Sequence, residues 1–375
     1  MQPKTEESNF KINAKKSIFP ALTGIRAFAA YSVFIFHFNP LNKSSFIGRI
    51  FNELHTGVDI FFVLSGFLIS YRYLDTSEIK KKWLKQYLIN RVARIYPAFF
   101  LFTFLTYLFK FFESLKSSEY TFPQVLKNNI FEFLMNITFL KGFFNDLKFI
   151  GIPQGWTLTV EECFYLSAPL IFLIIKKIKL FHLSILIIIL GFFIVRYCHT
   201  FPYGFFNNNQ FMLQFTFFGK VFDFFIGIFL ALQLKNGQIN NNSLLSNTYI
   251  SFITYFILLL VISYVRTYYS TPIPAILIIN FLLPINIYFI LRGLITQKCV
   301  INKILSSDPS ILLGKSSYIF YLIHLGIFNL LIKTYITDNL FIQFIILLIL
   351  SILFYKFFED PMNYIIRRTY ANKKK

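Results

Sequence analysis

Residues 22–38 read LTGIRAFAAYSVFIFHF, an almost wholly apolar run that carries Arg26 near one end and His37 near the other. Eleven positions apart, the two fall about three turns from one another on a helix, on one face and roughly 16 Å apart along the axis. An arginine and a histidine on one stripe of a membrane-length helix are costly unless they face a bundle interior or a water-filled cavity, where such groups mark a pathway. The plainer alternative is an arginine that snorkels and a histidine that packs, each at an interface.

The surrounding chain supports the membrane reading. Of its 375 residues, 56% are hydrophobic and 14% charged, and the mean hydropathy is +0.59; a soluble domain of this size carries far more charge. Apolar runs of about 18–22 residues recur, each long enough to cross a bilayer as a helix. The expected spans are 18–38, 57–74, 95–113, 156–175, 180–200, 212–234, 249–267, 273–292, 311–332 and 340–358, an all-α polytopic protein of about ten transmembrane helices. The segment Ile130–Phe144 is too short and interrupted to span and reads as interfacial or re-entrant. Residues 1–17 form a basic N-terminal tail, 18–360 the membrane domain and 361–375 a basic C-terminal tail. Ala27-Phe28-Ala29 resembles a signal-cleavage site, but Arg26 interrupts the apolar region before it, so the first helix is read as an uncleaved anchor.

The net charge of +20 does not indicate nucleic acid, because the basic residues sit between apolar runs, where topology accounts for them. Lys80–Lys82, Lys85, Arg91 and Arg94, then Lys176, Lys177 and Lys179, then Arg292, Lys298 and Lys303, and finally the C-terminal Arg367, Arg368 and Lys373–Lys375 all fall on one side if there are ten spans. That side is expected to be cytoplasmic, with both termini inside. The cysteines, Cys163, Cys198 and Cys299, have neither the number nor the spacing of a disulfide framework or a zinc site, and no metal is expected.

In this orientation Arg26 lies in the inner half of the first helix, while His37, Asp59 and Glu161 share roughly one depth toward the outside. A histidine beside a carboxylate has its tautomer fixed and its basicity raised, which suits a general base. Asp59 also reads as a helix N-terminal charge complementing the dipole, and Glu161 as half of an interhelical ion pair. On the inner side, KKKWLKQYLINRVARIYP places Arg91 and Arg94 one turn apart where the third helix is expected to begin, and two arginines at a helix N-terminus can chelate a phosphate; anchoring on anionic lipid heads is the alternative. Ser317, Tyr318, Tyr321 and His324 recur along one side of the ninth helix as a polar stripe leading into the membrane; hydrogen-bonded helix packing explains them equally. Together these groups describe a path from a cytoplasmic nucleotide-like donor to a hydroxyl on the far side. A transporter or flippase for a glycan or lipid-linked intermediate is the competing class.

Several blocks resemble the membrane acyltransferase 3 family of bacterial glycan O-acetyltransferases: Arg26 and His37 in an arginine-x10-histidine pattern, GVDIFFVLSGFLIS at 57–70, NRVARIYP with its arginine-x-x-arginine, WTLTVEECFYL at 156–166, SSYIFYLIH at 316–324, and FFEDP ending at Pro361. The resemblance implies a ten-helix fold in the bacterial cytoplasmic (inner) membrane and an acyl-CoA, commonly acetyl-CoA, as donor. It implies a carbohydrate or lipid-linked glycan of the cell envelope as acceptor. His37 matches the family's essential histidine and Arg26 its basic partner. Arg91 and Arg94 match the pair proposed to hold the CoA phosphates, and Glu161 the glutamate of the tryptophan block. His37 is expected to act as base or transient acyl carrier, oriented by Glu161 with Asp59, while Tyr318, Tyr321 and His324 line the donor route. Some members carry a C-terminal periplasmic hydrolase-like domain; the chain stops about 17 residues after its last expected helix, so that domain is expected to be absent, and the protein would act alone or with a separate periplasmic transferase.

Overall fold

The computed structural model describes residues 19–42, 45–75, 80–116, 122–239 and 247–372. The expected N-terminal tail lies outside them. Among the described residues there is no extended strand, only an isolated bridge between Phe144 and Phe205. The helices are α1 (Pro20–His37), α2 (Phe46–Asn52), α3 (Gly57–Tyr73), α4 (Lys81–Lys116), α5 (Phe122–Ile137), α6 (Trp156–Ile174), α7 (Leu180–Cys198), α8 (Asn209–Phe215), α9 (Phe217–Lys235), α10 (Thr248–Tyr268), α11 (Ile273–Leu277), α12 (Leu283–Thr296), α13 (Val300–Leu305), α14 (Asp308–Ile323), α15 (Ile327–Tyr335), α16 (Leu340–Phe354) and α17 (Asp360–Asn372).

Every stretch expected to span is helical over most of its length. Among the described residues eight helical stretches are long and apolar enough to cross a membrane, or nine if the bent pair α14–α15 is one span. The chain is an all-α polytopic membrane protein. Helix α1 is not among the eight, because Arg26 and His37 dilute its apolar character. It is held by the bundle instead, packing on α3 and α14 with Leu22, Ile25, Ala29 and Ala30 buried.

The central contact is between α3 and α9. Gly66 and Gly227 let the two backbones touch: a Cβ on Gly66 would lie 2.1 Å from the Phe224 carbonyl oxygen, and one on Gly227 2.1 Å from that of Val63. Small residues at a helix crossing are how membrane helices gain packing without a hydrophobic drive.

Local structure departs from the sequence reading in four places. Helix α4 starts at Lys81, not near Ile95, and Pro97 lies inside it. Its basic first turns stay helical because Trp83 stacks on Tyr87 at 5.4 Å, α17 packs alongside and Lys85 sits over the Tyr370 ring. Arg91 and Arg94 are therefore mid-helix, and their backbone N–H groups are not free to bind a phosphate. The segment read as interfacial begins earlier, as α5, with exposed Phe122, Leu126, Ile130 and Leu134 at four-residue steps forming one apolar stripe. The ninth expected span breaks into α14 and α15 with an 83° bend at Gly326, whose φ of 76° suits glycine. The final span passes through a π-helical stretch, Tyr355–Glu359, into α17, so the residues read as a tail are helical as far as Asn372.

Candidate active site

A cavity of about 870 Å³ lies at the C-terminal end of α1, with exposed His37 on its wall. Asp59 from α3, Lys220 from α9 and Asn280 from the π-helical turn Ile278–Leu282 form one polar side. The Lys220 ammonium donates to Asp59 Oδ1 at 2.7 Å and to Asn280 Oδ1 at 2.9 Å, and Asn280 Nδ2 donates to the Leu213 carbonyl at 2.8 Å. All three side chains are buried. One turn along α9 is Asp223, wholly buried, with no hydrogen-bond partner for either carboxylate oxygen among the described residues. Across the cavity, Arg266 Nε lies 3.1 Å from the buried Glu53 carboxylate, and Trp156, Phe215 and Phe149 form an aromatic side.

His37 does not meet the carboxylates expected to orient it. Asp59 is paired with Lys220. Glu161 accepts from Ser65 Oγ at 2.8 Å and from the Tyr165 hydroxyl at 3.1 Å, and it lines a second, smaller pocket of about 40 Å³ with Arg26, Tyr318 and Tyr321. Glu161 thus lies with Arg26, not with His37. The reason is local: α6 starts from the 3-10 turn Pro153–Gly155, and its first residue, Trp156, already lines the large cavity, so Glu161 sits about 7 Å deeper. His37 meets the neighbouring Phe36 ring and, from α14, His324, the two imidazole centroids 5.5 Å apart. Arg26 and His37 share the α1 stripe but open into different cavities, and these have Val58 and Tyr321 in common.

Beyond Arg26 lies a cationic cluster. Arg94 is ion-paired with Glu359, a buried side chain in the π-helical stretch after α16, and covers the Tyr318 ring. Arg91 rests over the rings of Tyr73 and Tyr165, and among the described residues it has no carboxylate in ion-pair contact. Arg367 of α17 interacts electrostatically with Arg91, Arg72 and Arg94. The pair expected to act alike is therefore split: Arg94 is tied into the fold, whereas Arg91 stands with Arg72 and Arg367.

The polar stripe on α14 also divides. Ser317 is buried and donates to the Gly314 carbonyl of its own helix, so it lines neither cavity. The Tyr318 hydroxyl donates to the Ile95 carbonyl at 2.8 Å while its ring lines the small pocket, Tyr321 lines both cavities, and His324 is buried at the helix end. The sequence reading passed over Lys220 and Asp223, although a lysine and an aspartate three apart inside an apolar run are themselves a signal. It gave no role to Glu359, and Gln154, which holds the end of α14, carries no signal in isolation.

A family model described as an acyltransferase domain matches residues 19–355. A Staphylococcus aureus (strain COL) protein, provisionally named an O-acetyltransferase, is 25% identical over 377 residues, covering 93% of this chain and 58% of its own length. The peptidoglycan O-acetyltransferase OatA of Listeria monocytogenes is 30% identical over 170 residues, 42% of this chain and 25% of that protein. A protein of the Acidianus two-tailed virus, provisionally named an acetyltransferase, is 29% identical over 201 residues, 54% of this chain and 55% of its own. This chain thus spans 58% of the length of the staphylococcal relative. No solved structure matches. With the family model running from the start of α1 through both cavities to the end of α16, the chain belongs to the acyltransferase 3 family of membrane proteins.

Proposed function

We propose that this chain is an integral-membrane O-acyltransferase of the bacterial cytoplasmic membrane. It moves an acyl group, acetyl in the simplest case, from cytoplasmic acyl-CoA to a hydroxyl of a cell-envelope carbohydrate or lipid-linked glycan. The observation that carries this reading is the partition: the His37 cavity and the Arg26–Glu161 pocket share Val58 and Tyr321. An acyl group entering from the basic end and held at Tyr321 therefore lies beside the cavity that holds His37.

The residues suit such a donor. Arg91, Arg72 and Arg367 present guanidinium groups to phosphates, and Arg26 faces the pocket where the thioester carbonyl would build negative charge. On the acceptor side, the Trp156–Phe215 pair offers an apolar face to a sugar ring, with polar groups around it to fix orientation. His37 takes the proton of the acceptor hydroxyl as its oxygen bonds to the carbonyl carbon. The C–S bond then breaks, and the proton passes from the imidazolium to the departing thiolate. Transient acyl transfer to His37 is the variant route.

The test is purified protein in nanodiscs with acetyl-labelled acetyl-CoA and envelope glycan. Label in the glycan with stoichiometric CoA release is expected, and both are lost in His37→Ala. Label on His37 that is trapped by rapid quench at neutral pH and released by acid would select the carrier route. Undiminished transfer by His37→Ala, or glycan movement across the bilayer with no CoA released, would overturn the reading.

A further inference from the structure

The geometry points to His324 as the positioning residue of His37: a fixed-tautomer imidazole that accepts an N–H from His37 and leaves the other His37 nitrogen to face the cavity. The inference rests on the reading of His37 as the proton-handling group, and it assigns to a second histidine the part that the carboxylates do not fill.

The chain of causes begins with the break after α14. The last carbonyls of a helix have no partner within it. Here the Tyr321 carbonyl receives Gln154 Nε2 at 2.6 Å and His324 Nδ1 at 2.8 Å, and Gln154 Nε2 also donates to Leu322 at 2.7 Å. A carbonyl oxygen only accepts, so His324 Nδ1 carries the proton, and in the neutral ring the lone pair lies on Nε2. That nitrogen is buried and has no hydrogen-bond partner among the described residues. The rings in contact with His324 are Phe320, Tyr321 and His37. Phe320 has no donor and the Tyr321 hydroxyl is engaged with Thr157, which leaves the His37 imidazole as the donor for Nε2.

The spacing fits. An N–H···N bond of about 3 Å between two imidazoles separates their centroids by roughly 5 Å, and these stand 5.5 Å apart with planes inclined at 42°. A small rotation of the exposed His37 ring completes the bond. A buried neutral acceptor fixes the orientation of His37 without a buried charge, which in this setting would need its own counter-ion. The same acceptor stabilises His37 when it takes the hydroxyl proton.

Two variants separate positioning from packing. His324→Asn keeps a δ-position donor for the Tyr321 carbonyl and loses the ε acceptor; His324→Gln keeps an acceptor at the ε position. His324→Asn is expected to lower kcat about tenfold with the KM for acetyl-CoA unchanged, and His324→Gln to stay within about threefold of the parent. Independently of turnover, 15N spectra of the five histidines in nanodiscs should show one His37 tautomer in the parent and in His324→Gln, and a mixture in His324→Asn. Equal kinetics for the two variants, or a His37 signal indifferent to both, would overturn the assignment. The spectral change without acetyl transfer by any form would keep the His37–His324 contact and instead sink the reading of His37 as the base.

Discussion

The Lys220 ammonium holds two buried oxygens, from Asp59 and Asn280, on one wall of the large cavity. Removing one partner of a buried pair strands the other charge, at about 3–5 kcal/mol. Lys220→Met should therefore lower the melting temperature in detergent sharply, and adding Asp59→Asn should restore most of the loss. Asp223→Asn should shift stability by less than about 1 kcal/mol, because this unpartnered carboxyl resides more cheaply as a neutral group. The same logic divides the arginines. Arg94→Ala leaves Glu359 buried without its cation and should cost several-fold more stability than Arg91→Ala, while Arg91→Ala should raise the KM for acetyl-CoA with little change in melting. Thermal melts and donor titrations of the two single variants decide it. Residue types and their stripe were legible from the sequence: Arg26 and His37 do share a face. Their partners were not, because Ser65 meets Glu161 across 96 positions and Lys220 meets Asp59 across 161, and no local pattern encodes such contacts.

Helices were legible wherever apolar runs were long, since length and hydropathy determine them. Two features were not. Helix α4 runs about four turns further into polar sequence than its apolar run does, supported by α17, which lies far away in the chain. The break after α14 is hidden because its single glycine lies directly between Leu325 and Ile327, with no proline or polar cluster to mark it. Gly326, at φ 76° and ψ −148°, occupies a region essentially closed to other residues. Gly326→Ala should cost about 1–3 kcal/mol and loosen the Gln154 clasp on the Tyr321 and Leu322 carbonyls. Faster amide hydrogen exchange at residues 321–327 than in the parent is the expected readout; exchange unchanged from the parent would show the bend to be held by other contacts.

For the whole molecule, the loop between α5 and α6 is organised around Lys141. This side chain is fully buried and donates to the Ile150 and Ile152 carbonyls at 2.7 and 2.5 Å. Burial pushes its ammonium from the ordinary 10.5 down to about 7. Between those values the unfolded chain holds a proton that the folded chain has released, so folding stability rises with pH across that window, and the penalty is fully present below about pH 7. Melting temperatures in detergent should climb from pH 7 to pH 9, and Lys141→Met should flatten the slope. Membrane class was readable from composition. How the bundle closes around two cavities was not, because closure depends on backbone approach at Gly66 and Gly227, which hydropathy does not record.

The large cavity also has an electrical consequence. In the proposed orientation, water filling it would carry the outside potential inward to Val58 and Tyr321, so the membrane voltage falls over the protein beyond them rather than over the full bilayer. At about 2.3 kcal/mol per elementary charge per 100 mV, an energised cell would bias any charged species formed at that level.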